Sequence, residues 1–480
     1  MVAIREFLSS LEDRGLLKRV KTEVDWKYEI GALAAKVLHE KGPALLFENV
    51  KSYHFPLLTG ALGTWERCRM AIGVDHAPRT DTEPRIAEAC VRKVLNALKN
   101  PIEPLLVDTG PCKEIIAKGE EVNAEEFPSP WWAPTDAGRY IGTLGCVVQK
   151  DPETGARNVA IYRQQLFDRN RIGLMSNQQG RMILEKYTQM GEPMPIATAI
   201  GVPLEVLVAS STSAPYGFDE YTIAGGIAGK PVRLVKCETV DLEVPAESEI
   251  VLEGEVQTDG AKWLEEGVFG EFSGFYGGTK IKRPTVDLKA ITYRKDPIMQ
   301  GTIEGRPDLA RESVYLRSVG QSAGTWYRLE AARIPGISKF YLPEMGCACF
   351  VSLVSLSHHY YAGNAQQLIK AAQVFGHNAG KITIAVDDDI DIFSPEEVEW
   401  AVSTRVQPHR DISISKNDEV AVNLDPSIAP EERAEAGTKT SRMGVNATMY
   451  YKGFDFPEKV LTRKQEEDLI SKRWAEYGIE

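Results

Sequence analysis

Residues 141–164 read IGTLGCVVQKDPETGARNVAIYRQ. Two short β-rich runs, 141–149 and 158–164, flank a DPETG turn at 151–155. Such a turn between apolar or alternating runs marks antiparallel strands. Further runs of this kind follow at 196–200, 231–240, 248–256 and 285–294, with a second turn at Asp259 and Gly260. One helical stretch, about 177–190, interrupts them. Residues 140–305 therefore read as a β-barrel or sandwich with inserted helices.

On both sides of this region the pattern is mixed α/β. Residues 4–19 place Phe7, Leu8, Leu11 and Leu16 at helical spacing, a second helix follows near 29–40, and PALLF at 43–47 reads as a buried strand. Helices are expected at 64–73 and 83–99, and residues 116–135 look like a crossing segment. Beyond 310, helices at 312–323 and 364–376 flank strands at 348–356 and 381–386. Another helix starts at Pro395 with Ser394 as its cap, and a charged helix at 457–476 closes the chain. A chain of 480 residues exceeds one core. We expect an α+β multidomain protein, divided as 1–115, 116–310 and 311–480.

The net charge of −12 argues against a nucleic-acid partner. No apolar stretch is long enough to span a membrane, and the N-terminus lacks a signal-peptide core. The seven cysteines are odd in number, scattered and without a CxxC pair. Disulfides and structural zinc are not expected, and a cytoplasmic location is.

Several stretches carry candidate chemistry. EEGVFGEFSG at 265–274 sets Glu266 and Glu271 five residues apart, with Gly267 and Gly270 between them. A strand would turn them to opposite faces, whereas a glycine-bearing turn folds them back toward one cavity. Two carboxylates in a poorly hydrated pocket do not both ionise cheaply, so one becomes a general acid. The plain alternative is an acidic surface turn. Arg163, just after Asn158 and Tyr162, offers a planar fork for a carboxylate; the alternative is a surface salt bridge. Glu249 precedes a strand and suits a hard divalent ion, or is simply solvated. VASSTSAP at 208–215 has small hydroxyl residues for a phosphate or cation, but also reads as an ordinary loop. The aspartates of IAVDDDID at 384–391 lack EF-hand spacing, and no glycine cluster forms a nucleotide fingerprint.

Taken together, several blocks resemble the UbiD-like decarboxylases. They are REFLSSLEDRGLLKRV at 5–20, GPALLFENV at 42–50, DPETGARNVAIYR at 151–163 and EYTIAGGIAGKPVRLVKCETVDLEVPAESEIVLEG at 220–254. GEFSGFYG at 270–277, VDDDIDIFSPEEVEWAVSTRV at 386–406 and SRMGVNATMY at 441–450 complete the set. The resemblance implies an N-terminal α/β domain, a central split β-barrel of flavin-reductase type, and a C-terminal α/β oligomerisation domain. It implies prenylated FMN, made by a flavin prenyltransferase, with a divalent metal (manganese or magnesium) and potassium. The implied reaction is reversible, non-oxidative decarboxylation of an aromatic, heteroaromatic or α,β-unsaturated carboxylic acid, releasing CO2 through a covalent prenylated-FMN adduct. Glu271 would be the proton donor, with Arg163 and Glu266 completing a Glu–Arg–Glu network. Asn158, Ile161, Tyr162, Arg163, Gln178, Gln179, Ser210, Ser211, Thr212, Glu249 and His359 would hold the cofactor, and Asn158, Glu249 and Gln179 the metal. MSNQQGRM at 175–182 departs from the family, which often has a metal-binding histidine there; an amide oxygen of Gln178 or Gln179 is the substitute. His358 and His359 stand where relatives often carry lysine. A homodimer or homohexamer is expected. The competing readings are a catalytic subunit of a multi-subunit aryl carboxylase and a flavin-dependent oxidoreductase.

Overall fold

The computed structural model describes residues 2–75, 82–376, 380–418, 424–429, 440–450 and 452–478. The N-terminal helix Ile4–Asp13 buries Ile4, Phe7, Leu8 and Leu11. It is shorter than the apolar spacing predicts. Gly15 takes a left-handed φ of 69°, and the Leu16 amide reaches back to the Leu11 carbonyl at 2.8 Å. This glycine stop frees Leu17–Val20 to pair in parallel with Ala44–Phe47. The four-stranded sheet is completed by Leu57–Thr59 and by Met299–Gln300. Its last strand thus comes from far along the chain.

The central sheet has nine strands, and every pairing in it is antiparallel. Its path runs Tyr140–Gly142, Gln164–Asp168, Arg171–Gly173, Thr285–Tyr293, Ile250–Val256, Met194–Ile200, Cys146–Lys150 and Arg157–Ile161, with Ile115–Lys118 pairing beside Thr285–Tyr293. The two runs that opened the sequence reading are each broken. The first splits at 143–145 and the second at Tyr162 and Arg163. These short links join opposite ends of the sheet path, so the sheet curls and brings both breaks to one place. The breaks, not the strands, carry the site.

The chain forms two helices that strand-like patterning does not reveal, Leu204–Ala209 and Glu220–Ala228. Both are almost wholly buried, so their sequence lacks the polar face that marks a surface helix. The 231–240 run shortens to Arg233–Lys236 and joins Glu243–Pro245 and Leu105–Leu106 in a separate sheet.

The helix Arg311–Ala331 runs past the expected end at 323 and is buried along most of its length. Gly320 and Gly324 let it touch the backbone of Ser211 and Ser213, where a Cβ would sit 2.7 Å from the Ser211 carbonyl oxygen and 2.4 Å from that of Ser213. Beyond it, five strands order as Ile337–Tyr341, Val351–Leu356, Ile382–Asp387, Thr440–Asn446 and Ile412–Asp418. Helix Asn364–Phe375 makes the crossover between the parallel pair Val351–Leu356 and Ile382–Asp387. Ser394 caps helix Pro395–Arg405 through the Glu397 amide. The terminal helix is only Lys464–Lys472, followed by one turn at Trp474–Tyr477, and neither buries a residue. No helix among the described residues is long and apolar enough to cross a membrane.

Candidate active site

Glu266 ends the strand Leu264–Glu266, and Glu271 follows the strand Phe269–Gly270. The chain between them folds back. Asp136 accepts the Gly270 amide at 2.8 Å, and the Glu271 amide donates to the Phe275 carbonyl at 3.0 Å. Gly274 has a φ of 83°, where a Cβ would sit 3.0 Å from Arg306 Cα, and a Cβ on Gly277 would strike Glu271 Cγ at 2.6 Å. Both positions therefore require glycine. Both carboxylates meet on Arg163, in the second break of the curled sheet. Arg163 Nε donates to Glu266 Oε1 at 2.7 Å and Nη2 to Oε2 at 3.2 Å, while Nη1 donates to Glu271 Oε1. The guanidinium also lies 5.1 Å from the Phe269 ring centroid.

Burial pushes the Glu271 carboxyl above its ordinary range, and Arg163 and Arg317 pull the other way without cancelling it. Glu304, which accepts the Ser313 hydroxyl at 2.7 Å, is pushed by burial up to about 7. Asp136 is raised, again by burial, to about 6. Glu304 and Asp136 therefore keep their protons closer to neutrality than ordinary carboxyls do.

Two adjoining cavities share Thr143, Ile161, Tyr162, Asn177, Glu304 and Arg317. The smaller contains Arg163, Phe269 and Glu271. The larger, about 900 Å3 including its open mouth, contains Asn158, Gln178, Gln179, Ser210, Ser211, Thr212 and Glu220. Tyr162 ties these walls together: its hydroxyl donates to the Asn177 carbonyl at 3.3 Å and accepts the Gly180 amide at 3.2 Å. Ser210 and Thr212 donate to helix carbonyls of Val206 and Val208, and Ser211 to those of Val208 and Leu316. In this arrangement their hydroxyls offer lone pairs to a ligand rather than protons.

Two expected ligands lie elsewhere. Glu249 is fully buried, but Arg5 grips it at 2.9 and 2.8 Å and the Ile298 amide donates to it at 3.0 Å. Its charge is spent on docking the N-terminal helix, and it lines neither cavity. His359 is also away from both cavities. Its Nε2 lies 2.7 Å from Asp387 Oδ1 and its ring packs on Tyr450. The histidine sits beyond the end of strand Val351–Leu356, so it serves the C-terminal sheet.

The carboxylate beside Asn158 is Glu220, which sequence reading held only as part of a longer block. It opens the helix Glu220–Ala228 and accepts the Val159 amide at 2.7 Å. Burial pushes it up to about 8, and among the described residues no cation pairs with it. No group of three His, Cys, Asp or Glu side chains able to hold a metal occurs among the described residues. An amide oxygen from Asn158 and a carboxylate from Glu220 nonetheless form a hard-oxygen donor pair that lacks a counter-charge, which fits a divalent ion. Gln179 lines the same cavity and spends its amide nitrogen on the Ala214 carbonyl at 3.0 Å, leaving its oxygen for another partner.

The curled sheet and the carboxylate–guanidinium cluster define a decarboxylase-type scaffold, and comparison with known proteins identifies it. Sequence models of the 3-octaprenyl-4-hydroxybenzoate carboxy-lyase match at residues 8–82 for the N-terminal domain, 105–307 for the Rift-related domain and 314–447 for the C-terminal domain. The chain belongs to the UbiD family and is a carboxy-lyase. It is 32% identical to the uncharacterized protein sll0936 of Synechocystis sp., covering 99% of this chain and 96% of that one. It is 33% identical to the UbiD-class enzyme HmfF of Pelotomaculum thermopropionicum, solved in complex with FMN, with a TM-score of 0.82 and coverage of 98% and 99%. Against the vanillic acid decarboxylase of Sedimentibacter hydroxybenzoicus the identity is 28% and the TM-score 0.87, with coverage of 100% and 99%.

Proposed function

We propose that this chain decarboxylates, reversibly and without net oxidation, an aromatic, heteroaromatic or α,β-unsaturated carboxylic acid, with Glu271 as the proton donor. The observation that carries this is the meeting of Glu266 and Glu271 on Arg163 at the wall of a cleft. Prenylated FMN would lie along the Ile161–Tyr162 wall and the Ser210–Thr212 loop. The related HmfF has been solved in an evolved dimeric form with this flavin. A divalent cation would sit on Asn158 and Glu220, with Gln179 within the same wall.

When bound, the prenylated flavin supplies an electrophilic carbon that accepts the electron pair left when CO2 departs from an unsaturated carbon. The protein's own residues do the rest. Glu271, whose carboxyl burial pushes toward its protonated form, gives its proton to the carbon that lost CO2. The anion it becomes is already bonded to Arg163, so no group has to reorganise as charge appears. Glu266 fixes that guanidinium through two bonds, leaving one edge for Glu271. Phe269 and Tyr140, with ring centroids 4.4 Å apart, back the cluster and keep water from it. In the reverse direction Glu271 takes the proton back.

The test is co-expression with a flavin prenyltransferase, an absorbance spectrum, and a screen of aryl, heteroaryl and acrylic acids for CO2 release. The reading predicts a flavin-loaded chain that releases CO2 from at least one acid. A loaded chain that instead oxidises NAD(P)H and leaves every acid intact would refute it. Activity that appears only with an added protein would assign it to a multi-subunit enzyme.

A further inference from the structure

The two acids of the cluster are not held alike. Glu266 takes two bonds from Arg163 and also faces a second guanidinium, that of Arg283, whose Nε lies 3.5 Å from Glu266 Oε2. Glu271 takes one bond from Arg163 and feels the charge of Arg317, which Glu304 shares. The antiparallel ladder puts Arg283 in its place. Leu264 pairs with Arg283 and Glu266 with Ile281, so Glu266 and Arg283 stand diagonally on one face. The opposite face carries Glu265 and Lys280, an exposed pair. Thr285 pins the strand end: its hydroxyl accepts the Leu264 amide at 2.8 Å and donates to the Arg283 carbonyl at 3.3 Å.

Arg283 lines neither cavity, so it stands behind the cluster. Its Nε is buried and, among the described residues, makes no hydrogen bond. The other groups around Glu266 do not replace it. Tyr140, from the strand Tyr140–Gly142, has a buried hydroxyl that burial pushes upward, so it stays neutral. Asp136 and Glu271 add no positive charge, and Asp136 accepts the amides of Ala133 and Gly270. Arg181, on the helix Gln178–Met190, spends its charge on Glu185 at 2.9 Å. Arg163 serves both acids. Arg283 acts on Glu266 more than on Glu271, and so is the cation that distinguishes them.

Two carboxylates gathered on one arginine titrate as a pair and share a proton over a range of pH. The reaction needs that proton on Glu271, which lines the small cavity, and not on Glu266, which does not. A fixed positive charge beside Glu266 disfavours a proton there more than on Glu271. Resting on the decarboxylase reading above, we propose that Arg283 is a positioning residue for the proton: it keeps the negative charge on Glu266 and leaves the shared proton on Glu271, where the substrate carbon meets it.

The test compares the parent with Arg283→Gln, Arg283→Lys and, as a control from the outer face, Lys280→Gln. For the flavin-loaded protein, kcat and KM would be followed between about pH 5 and 9 with an acid that it turns over. Removing a positive charge makes both carboxyls keep their protons to higher pH. In Arg283→Gln both limbs of the kcat profile should therefore move upward by about 1 in pH, the low-pH limb further, so that kcat on that limb falls roughly tenfold while KM changes little. Arg283→Lys, which keeps the charge, should move the limbs less, and Lys280→Gln not at all. The flavin-free protein gives a reading independent of turnover: the infrared C=O band of protonated carboxyls in D2O. The part of that band that Glu271→Gln removes should titrate at higher pH in Arg283→Gln than in the parent. An even fall in kcat with unmoved limbs, an unmoved infrared titration, or an equal shift in Lys280→Gln would overturn the proposal. If the infrared titration moves as expected and no acid releases CO2, the decarboxylase reading fails and the charge assignment stands.

Discussion

Replacing Glu271 with glutamine separates the proton from the shape. The glutamine carbonyl oxygen can still accept the Arg163 Nη1 hydrogen bond, and the space opened by Gly277 still fits a side chain of this size. Arg163 keeps both bonds to Glu266. The fold should therefore lose no more than about 1–2 kcal/mol, the difference between a charged and a neutral acceptor for one bond. The catalytic loss should be much larger. A positioned general acid is worth roughly 10²- to 10⁴-fold, or about 3–5 kcal/mol of barrier. The assay is CO2 release by the flavin-loaded variant, alongside deuterium incorporation into product in D2O and calorimetric binding of the acid. The expected result is binding within a few-fold of the parent, with turnover and deuterium exchange both lost. Full turnover in Glu271→Gln would refute the proton-donor assignment, whatever the fate of the rest of the cluster.

Other perturbations probe the neighbouring residues. Glu220→Gln should lower the divalent metal retained per chain, measured by elemental analysis, whereas Glu249→Gln should leave metal content unchanged and lower Tm, because it removes the partner of Arg5. The reverse pattern would restore Glu249 as a ligand. Arg163→Lys replaces a fork that serves two carboxylates with a point charge; decarboxylation should fall at least tenfold by roughly the cost of a lost charged hydrogen bond, and a normal spectrum with a normal rate would count against its role. Glu304 carries a proton in the folded chain up to about pH 7. The unfolded chain releases that proton at the ordinary carboxyl value, so between these limits it binds fewer protons and stability falls as pH rises. Glu304→Gln should flatten the decline of Tm between pH 5 and 8, and an unchanged slope in thermal melts would show that other groups cause it.

The sequence revealed more of the chemistry than of the scaffold that holds it. The two acids of EEGVFGEFSG converge on Arg163 as expected, but Gly270 has room for a Cβ, and the tight approaches fall at Gly267, Gly274 and Gly277. Asn158, Tyr162 and the Ser210–Thr212 loop also reach the cavity as expected. Glu249 misled because an acid before a strand reads the same whether it faces a metal or Arg5, a residue 244 positions away that makes the pair. Glu220 was hidden for a related reason: its helix is buried almost all round and shows no periodic polar face. The breaks at 143–145 and at Tyr162–Arg163 were illegible because curling of a nine-stranded sheet is a long-range property of its pairing, while each run locally favours a continuous strand. Arg317 lies in a helix whose length was underestimated, and its place in both cavities depends on how that helix seats against the serine loop.

The most direct test is a crystal structure of the flavin-loaded protein soaked with an unsaturated acid that it turns over. We predict the flavin ring along Ile161 and Tyr162, the carbon bearing the carboxylate within hydrogen-bonding reach of Glu271, and Arg163 still joined to both glutamates. An acid bound with Glu271 and Arg163 turned away from it, or a flavin seated outside this cleft, would contradict the account.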